Sequence, residues 1–223
     1  DEIARPDVRL IVNIGPAHLE ELGGLEGVAY EKGALFRGAR PGDTVVVNLD
    51  DPFIRSIPVP DTVRRVTWGF DTEADIRIVD FRMEPRSFRT FATLATPAGE
   101  LQLELPVLGE HMAHNATGAI AVAFALDLNL ELSVRALSAY EPVGMRMRVE
   151  ELPSGVLALN DAYNANPASM KASLGVLASM PGRRVAVLGD MLELGALEGH
   201  FHEEVARYAD SLALELLILV GPQ

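Results

Sequence analysis

Residues 160–170 read Asn-Asp-Ala-Tyr-Asn-Ala-Asn-Pro-Ala-Ser-Met and connect an apolar run at 156–159 to a helical pattern. The run has the composition of a buried strand, and Pro167 suits the first turn of a helix. Open α/β sheets bind ligands at the carboxyl ends of their strands, where such connections lie. The candidates for ligand contact are Asp161, Tyr163, Asn164 and Asn166. The alternative is that the Asn residues only cap the helix and turn the chain.

The composition indicates a globular chain without disulfides. The 223 residues are 48% hydrophobic and contain no cysteine, so any metal must be held by oxygen or imidazole ligands. No run approaches the roughly 18 apolar residues of a membrane span, and the charged start lacks the apolar core of a signal peptide. We therefore expect a cytoplasmic protein with no membrane partner, and we expect it to be monomeric.

The charge of the chain limits its partners. A net charge of -13 argues against a nucleic-acid partner and would repel a free polyanion at long range. A bound phosphate would need local help from basic side chains. Only Lys32 and Lys171 are lysines, and the other basic residues are all arginines.

The first part of the chain alternates strands and helices. Apolar strands at 7–15, 44–48 and 63–68, with a helix over 25–38, predict a mostly parallel sheet. Three strands without helices follow over 75–107, which predicts an antiparallel excursion. Helical spacing returns over 111–126 and 132–139.

A second α/β unit is predicted after a break in the pattern. Tyr140-Glu-Pro-Val-Gly144 interrupts the periodicity and predicts two domains, 1–142 and 143–223. The second contains strands over 147–152, 156–160, 183–188 and 216–220 and helices after Pro167 and over 200–212. This order is of Rossmann type. The chain stops straight after a strand, so we expect an incomplete doubly wound domain.

His18 and Lys32 form the first candidate pair. His18 follows a strand's carboxyl end and could bind a metal through one imidazole nitrogen. Lys32, in the next helix, becomes chemically useful if it loses its proton. The alternative is a surface lysine beside a loop histidine.

Two further stretches could serve a nucleotide. Gly109-Glu-His-Met-Ala-His-Asn115 opens a helix, where His111 and His114 could hold a metal or simply form a polar cluster. The amide of Asn115 can donate and accept, which suits the edge of a purine. Arg146 and Arg148 supply guanidinium forks suited to phosphate, unless they only face solvent.

One more polar loop follows a strand. In Gly189-Asp-Met-Leu-Glu-Leu-Gly195, Asp190 and Glu193 could bind a substrate amine or form a polar turn. His200 and His202, at the next helix start, favour surface or capping roles. Neither Gly-x-x-x-x-Gly-Lys-Ser/Thr nor Gly-x-Gly-x-x-Gly occurs in the 223 residues.

Together these motifs resemble those of the Mur ligases, ATP-dependent ligases of peptidoglycan synthesis, across nearly the whole chain. They are Asn13-Ile-Gly-Pro-Ala-His-Leu-Glu20, Lys32-Gly33, Gly109-Glu-His111 with Asn115, Gly144-Met-Arg146, Asn160-Asp-Ala-Tyr-Asn-Ala-Asn-Pro167 and Val187-Leu-Gly-Asp-Met-Leu-Glu-Leu-Gly195. The last two resemble the branch that joins D-Ala-D-Ala to UDP-N-acetylmuramoyl-tripeptide. The resemblance implies part of a central P-loop-type ATPase domain followed by a Rossmann-like C-terminal ligase domain.

The resemblance also assigns roles to single residues. By this resemblance His18 is a Mg²⁺ ligand, Lys32 is carbamylated and holds the same ion, Asn115 contacts adenine, Arg146 reaches the ATP phosphates, Asp161 binds ribose and Tyr163 packs beside the nucleoside. Asn164 and Asn166 become candidates for nucleotide or dipeptide contact. His18, Lys32 and Arg146 are the residues it places in the catalytic machinery.

The chain departs from the family in what it lacks. The N-terminal UDP-binding domain, the Walker A loop and a Mg²⁺-binding Glu before the first strand are absent, and Met112 stands where the family has Asn. We therefore expect a fragment that is inactive alone. The alternatives are a catalytically inert binding or scaffold module, and a relative of folylpolyglutamate synthase.

Overall fold

The computed structural model describes residues 4–16 and 22–222. In chain order the elements are β1 (Val8–Leu10), α1 (Leu25–Arg37), β2 (Thr44–Asn48), α2 (Pro52–Ser56), β3 (Arg64–Gly69), β4 (Ile76–Glu84), β5 (Arg89–Thr96), β6 (Gly99–Leu105), α3 (Glu110–Ala125), α4 (Leu130–Ser138), β7 (Arg148–Glu151), β8 (Leu157–Asn160), α5 (Pro167–Ser179), β9 (Val185–Gly189), a 3₁₀ turn (Gly195–Leu197), α6 (Glu198–Ser211) and β10 (Leu216–Val220). Within these residues no helix is long and apolar enough to cross a bilayer.

The first unit is built on one sheet with strands in the order β1 to β6. Strands β1 to β4 pair in parallel, and β4 to β6 pair antiparallel, which confirms the predicted parallel sheet with an antiparallel excursion. Every residue of β2 is buried because the sheet is covered on both faces. Val46 packs with Trp68 on the α3 side, and Val45 packs with Phe36 of α1 on the other.

A single carboxylate connects the ends of β2 and β3 to α3. Asp50 accepts hydrogen bonds from the backbone N–H groups of Phe70 at 2.8 Å and Asp71 at 3.0 Å. Its Oδ2 also lies 2.9 Å from Nε2 of His114, near the start of α3. A side-chain carbon at Gly69 would lie 2.5 Å from the same oxygen, so this approach requires glycine. The strand ends and the first turns of α3 are thereby fixed relative to one another.

The second unit contains a small parallel sheet of Rossmann type. β9 and β10 pair in parallel, with Leu216 beside Val185. Helices α5 and α6 cover one face of this pair, where Leu174, Ala186 and Val205 are buried together. This arrangement agrees with the α/β fold predicted for this part of the chain.

The strand before the polar connection at 160–170 differs from the prediction of a buried strand. β8 is half-exposed and pairs antiparallel with β7 in a separate two-stranded sheet, with Arg148 opposite Asn160. The link between β7 and β8 is a tight turn, closed by a hydrogen bond from Leu152 N to Val156 O at 2.8 Å. A parallel pairing needs a crossover of about a dozen residues, which so short a connection cannot provide. The candidate residues therefore follow a hairpin rather than a parallel strand.

The two units meet at an apolar group of side chains, the junction cluster. Its members are Met83, Phe88 and Leu108 from the first unit and Met147, Leu159, Val176 and Met180 from the second. Phe88 and Met147 have φ values of 55° and 51°, a left-handed conformation that costs a residue with a side chain about 1–3 kcal/mol. Met147 is nevertheless 4% exposed, so burial at the junction offsets its backbone strain.

We expect Asp50→Ala to lower the free energy of unfolding by roughly 2 kcal/mol, because two backbone N–H groups and His114 lose a charged acceptor that is partly screened by solvent. Urea denaturation of the 223-residue chain measures this change. The exposed Asp61 is the control, and Asp61→Ala should change the stability by less than about 0.5 kcal/mol. Equal stabilities for the two variants would show that Asp50 does not connect these elements.

Candidate functional site

The hairpin of β7 and β8 continues into the two segments that carry the candidate residues. Tyr163 N donates to Met145 O at 3.1 Å, and Met147 N donates to Asp161 Oδ1 at 2.9 Å. These bonds extend the pairing beyond Arg148 and Asn160. Residues 145–147 and 161–163 therefore form one structural piece of the second unit, and the structure brings Arg146, Asp161 and Tyr163 together on it.

Arg146 lies against the ring of Tyr163. Its guanidinium carbon is 4.0 Å from the ring centroid, which is a cation–π contact. Arg146 is exposed, and Tyr163 is 62% exposed. The ring orients the planar donor fork while leaving it open to solvent. Such a fork suits bidentate contact with a phosphate.

Asp161 is a half-buried carboxylate with structural partners on both oxygens. Oδ1 accepts from Met147 N, and Oδ2 accepts a hydrogen bond from Ser173 Oγ of α5. A carboxylate has about four acceptor positions, so these bonds leave room for a hydroxyl donor. The carboxylate that would bind the ligand is therefore the same one that joins residue 147 to α5.

The two amides of the connection differ. Asn166 caps α5: its Oδ1 accepts from Ser169 N at 2.9 Å, and Ser169 Oγ accepts from Asn166 N at 3.1 Å. The capping role considered for the Asn residues therefore applies to Asn166. Asn164 is exposed in the loop.

The histidines of α3 have different surroundings. His114 contacts Asp50, and its ring centroid lies 4.4 Å from that of Trp68. The ring of His111 folds back over Gly109. Burial lowers the pKa of His111, and the negative charge of Asp161 opposes this shift. Leu108, just before α3, packs against Met147, which bonds to Asp161, so the start of α3 lies close to Asp161 across the junction. Asn115, one helical turn beyond His111, is exposed.

Nε2 of His114 faces Asp50, and its ring lies against Trp68, which favours the polar cluster over the metal pair considered from the spacing of these histidines. Among residues 4–16 and 22–222, no three His, Asp or Glu side chains are arranged to hold a metal ion. The described carboxylates and imidazoles thus do not fit a metal centre by themselves.

Lys32 lines an open groove between β1 and α1. The groove has a volume of about 540 Å³ and is lined by Leu10, Ile11, Val12, Asn13, Glu31, Lys32, Ala34 and Leu35. Lys32 Nζ donates to Asn13 O at 3.1 Å, at the end of the apolar segment after β1. An ammonium in this position is not a metal ligand, whereas a carbamate would supply oxygens. His18, the expected partner of Lys32, lies outside the described residues.

Sequence reasoning missed the importance of His202 and Ser173. His202 Nε2 accepts from Met191 N at 3.0 Å, so it holds the loop after β9 rather than serving the surface or capping role expected. Ser173 bonds to Asp161 across 12 positions in sequence. Its only sequence signal is a serine within an apolar helix, which is also compatible with a bond to the preceding turn.

Two protein-family models match the chain. Residues 1–123 match the Mur ligase middle domain, and residues 145–223 match the Mur ligase glutamate ligase domain. A UDP-N-acetylmuramoyl-tripeptide–D-alanyl-D-alanine ligase of Escherichia coli (strain K12) is 34% identical over 222 residues, which cover 99% of this chain and 49% of the relative. A ligase of the same name from Bacillus subtilis (strain 168) is 35% identical over 205 residues, covering 91% and 43%. The chain spans about half the length of these curated relatives.

Solved structures of MurF also superpose on nearly the whole chain. MurF from Acinetobacter baumannii superposes with a TM-score of 0.91 at 32% identity, covering 99% of this chain and 48% of that one. MurF ligase from Thermotoga maritima in complex with ADP superposes with a TM-score of 0.84 at 26% identity, covering 100% and 54%. Since the middle-domain model alone spans more than half of the residues, the chain belongs to the Mur ligase family.

Proposed function

We propose that this chain is part of an ATP-dependent ligase that joins D-Ala-D-Ala to UDP-N-acetylmuramoyl-tripeptide. Residues 1–142 would belong to its ATP-binding domain and residues 143–223 to its C-terminal ligase domain. The observation that carries the proposal is the single piece that holds Arg146, Asp161 and Tyr163 and packs through Met147 against Leu108, just before α3. The identity to two ligases of this name supports the choice of substrates. Use of ATP and a UDP-linked substrate supports a cytoplasmic location.

The reaction proposed has two steps. The terminal carboxylate of the tripeptide attacks the γ-phosphorus of ATP, which gives an acyl phosphate and ADP. The amine of D-Ala-D-Ala then attacks the acyl carbon, phosphate leaves, and the nitrogen loses a proton to give the amide. Positioning and charge neutralisation are the main contributions that a protein makes to phosphoryl transfer.

The nucleotide contacts come from both sides of the junction. Asn115 on α3 would bind the adenine edge, and Arg146 would bind the phosphates through its exposed fork. Asp161 would accept from a ribose hydroxyl with the acceptor positions left by Met147 N and Ser173. Tyr163 would pack beside the nucleoside. We assign Asn164 to nucleotide or dipeptide contact, and Asn166 to the same role through the amide nitrogen that capping leaves unused.

Lys32 would act as a carbamate. Its amine lies in an open groove at the end of the segment after β1, where carbon dioxide can reach it. Carbamylation replaces a cation with two oxygens, so Lys32 together with His18 would hold Mg²⁺, a hard ion that prefers oxygen. The bound ion would neutralise phosphate charge.

The 223-residue chain alone should not catalyse the reaction, because it contains no Walker A sequence to hold the phosphates of ATP. We expect phosphate release from ATP at the background rate in the presence of both substrates. A malachite green assay measures this, with the complete ligase as the positive control. ATP-dependent release by the chain well above background would contradict the expectation.

Lys32→Ala in the complete ligase should abolish ligation, because the variant cannot form the carbamate. The carbamate itself can be detected by ¹³C NMR after equilibration with ¹³C-bicarbonate. This NMR experiment uses the 223-residue chain, which contains only two lysines, so the assignment is direct: Lys32→Ala should remove the signal, and Lys171→Ala should leave it unchanged. Full turnover by Lys32→Ala, or a signal that depends on Lys171, would exclude this role.

Arg146→Lys in the complete ligase should lower kcat/KM for ATP by roughly 10-fold or more, because a lysine keeps the charge but loses the planar fork. Steady-state kinetics with ATP as the varied substrate measure the effect. The nearby Arg148, which is exposed and lies 3.9 Å from Glu150, is the matched control. Arg148→Lys should remain within about twofold of the wild type, and an equal loss in both variants would argue against a specific role for Arg146.

A further inference from the structure

His202 of α6 holds the loop after β9 through both ring nitrogens. Its Nδ1 lies 2.8 Å from Glu198 O, and because a carbonyl oxygen only accepts, Nδ1 carries a proton. Met191 N donates to Nε2 at 3.0 Å, so Nε2 presents a lone pair. The two bonds together select the neutral imidazole protonated at Nδ1.

The loop is also anchored by its own side chains. Met191 is completely buried and Leu194 is 2% exposed, and both pack in the core between α5 and α6. Leu192, between them, is 72% exposed. The loop is thus fixed by two buried apolar residues and one hydrogen bond to an imidazole, which gives it a defined conformation.

The conformation brings Asp190 across the ends of two parallel strands. Asp190 directly follows β9 and is half-buried, and its carboxylate lies against Gly221, which directly follows β10. A side-chain carbon at Gly221 would collide with both carboxylate oxygens. The Asp190 carboxylate can take this position only because residue 221 is glycine. The carboxyl ends of parallel strands are where open α/β sheets bind ligands.

We propose that His202 is a positioning residue that fixes Asp190 to bind the amine of the acceptor dipeptide. A half-buried carboxylate at this edge favours a cationic or hydrogen-bond-donating group, and the incoming amine is the substrate group of that chemistry. His202 acts through the Met191 N–H and does not touch the substrate. The inference rests on the proposed ligase function and adds a contact for its second substrate.

The test is the KM for D-Ala-D-Ala in the complete ligase. His202→Phe keeps an aromatic ring but removes both hydrogen bonds, and it should raise this KM about tenfold while the KM for ATP stays within about twofold. His202→Gln retains an acceptor near the Nε2 position and should recover most of the affinity. His200→Phe, at an exposed neighbouring position, is the control and should match the wild type.

Two other measurements do not depend on the folding of His202→Phe. Gly221→Ala should displace Asp190 while leaving His202 in place, and it should raise the KM for the dipeptide in the same way. In the wild-type 223-residue chain, the ¹H–¹⁵N correlations of the His202 ring should show a protonated Nδ1 and a bare Nε2 at neutral pH.

The inference is overturned if the opposite tautomer is found, if Gly221→Ala leaves the KM for D-Ala-D-Ala unchanged, or if the KM for ATP rises equally in these variants. If the wild-type ligase does not use D-Ala-D-Ala at all, the proposed function fails instead. Ligation by the wild type with unchanged KM values in the variants rejects only the role of His202.

Discussion

The hydrogen bonds accepted by the Asp50 carboxylate are the interactions on which the first unit depends. The carboxylate joins the loop after β2 to the loop after β3 and reaches His114 on α3. Because α3 carries both His111 and Asn115, the same contact fixes the position of these side chains relative to the sheet. Gly69 is the sequence requirement of this arrangement, since any side chain there would occupy the position of the carboxylate.

A comparable role falls to Asp161 in the second unit. It joins residue 147, near the start of the second unit, to α5, so residues 145–147, the β7–β8 hairpin and the helix are one connected body. The predicted break at 140–144 lies before this body and includes Gly144, which has a φ of 63°. Arg146 and Tyr163 both belong to this body, so their contact does not depend on the first unit.

Much of the fold could be predicted from periodicity, and less of the site. The continuous apolar runs of β2 and β9 and the alternating residues of β4 to β6 indicate a parallel sheet with an antiparallel addition, as observed. The prediction of a buried strand at 156–159 was wrong, because the short link from β7 allows only an antiparallel hairpin, in which β8 is half-exposed. Asp50, Ser173 and His202 could not be identified, because each acts on a partner brought near only by the tertiary fold. The residue types of the 160–167 stretch gave its site candidates and raised helix capping as an alternative, but only the structure shows that Asn166 is the residue that caps α5.

The junction cluster has a composition unlike that of the sheet core. Three of its seven side chains are methionines, whereas the buried strands rely on valine, leucine and isoleucine. Methionine is unbranched and flexible at three bonds, so it can fill differently shaped gaps at little cost. If the angle between the two units changes, the junction cluster can repack without opening a cavity, whereas a core of β-branched residues would fit only one arrangement.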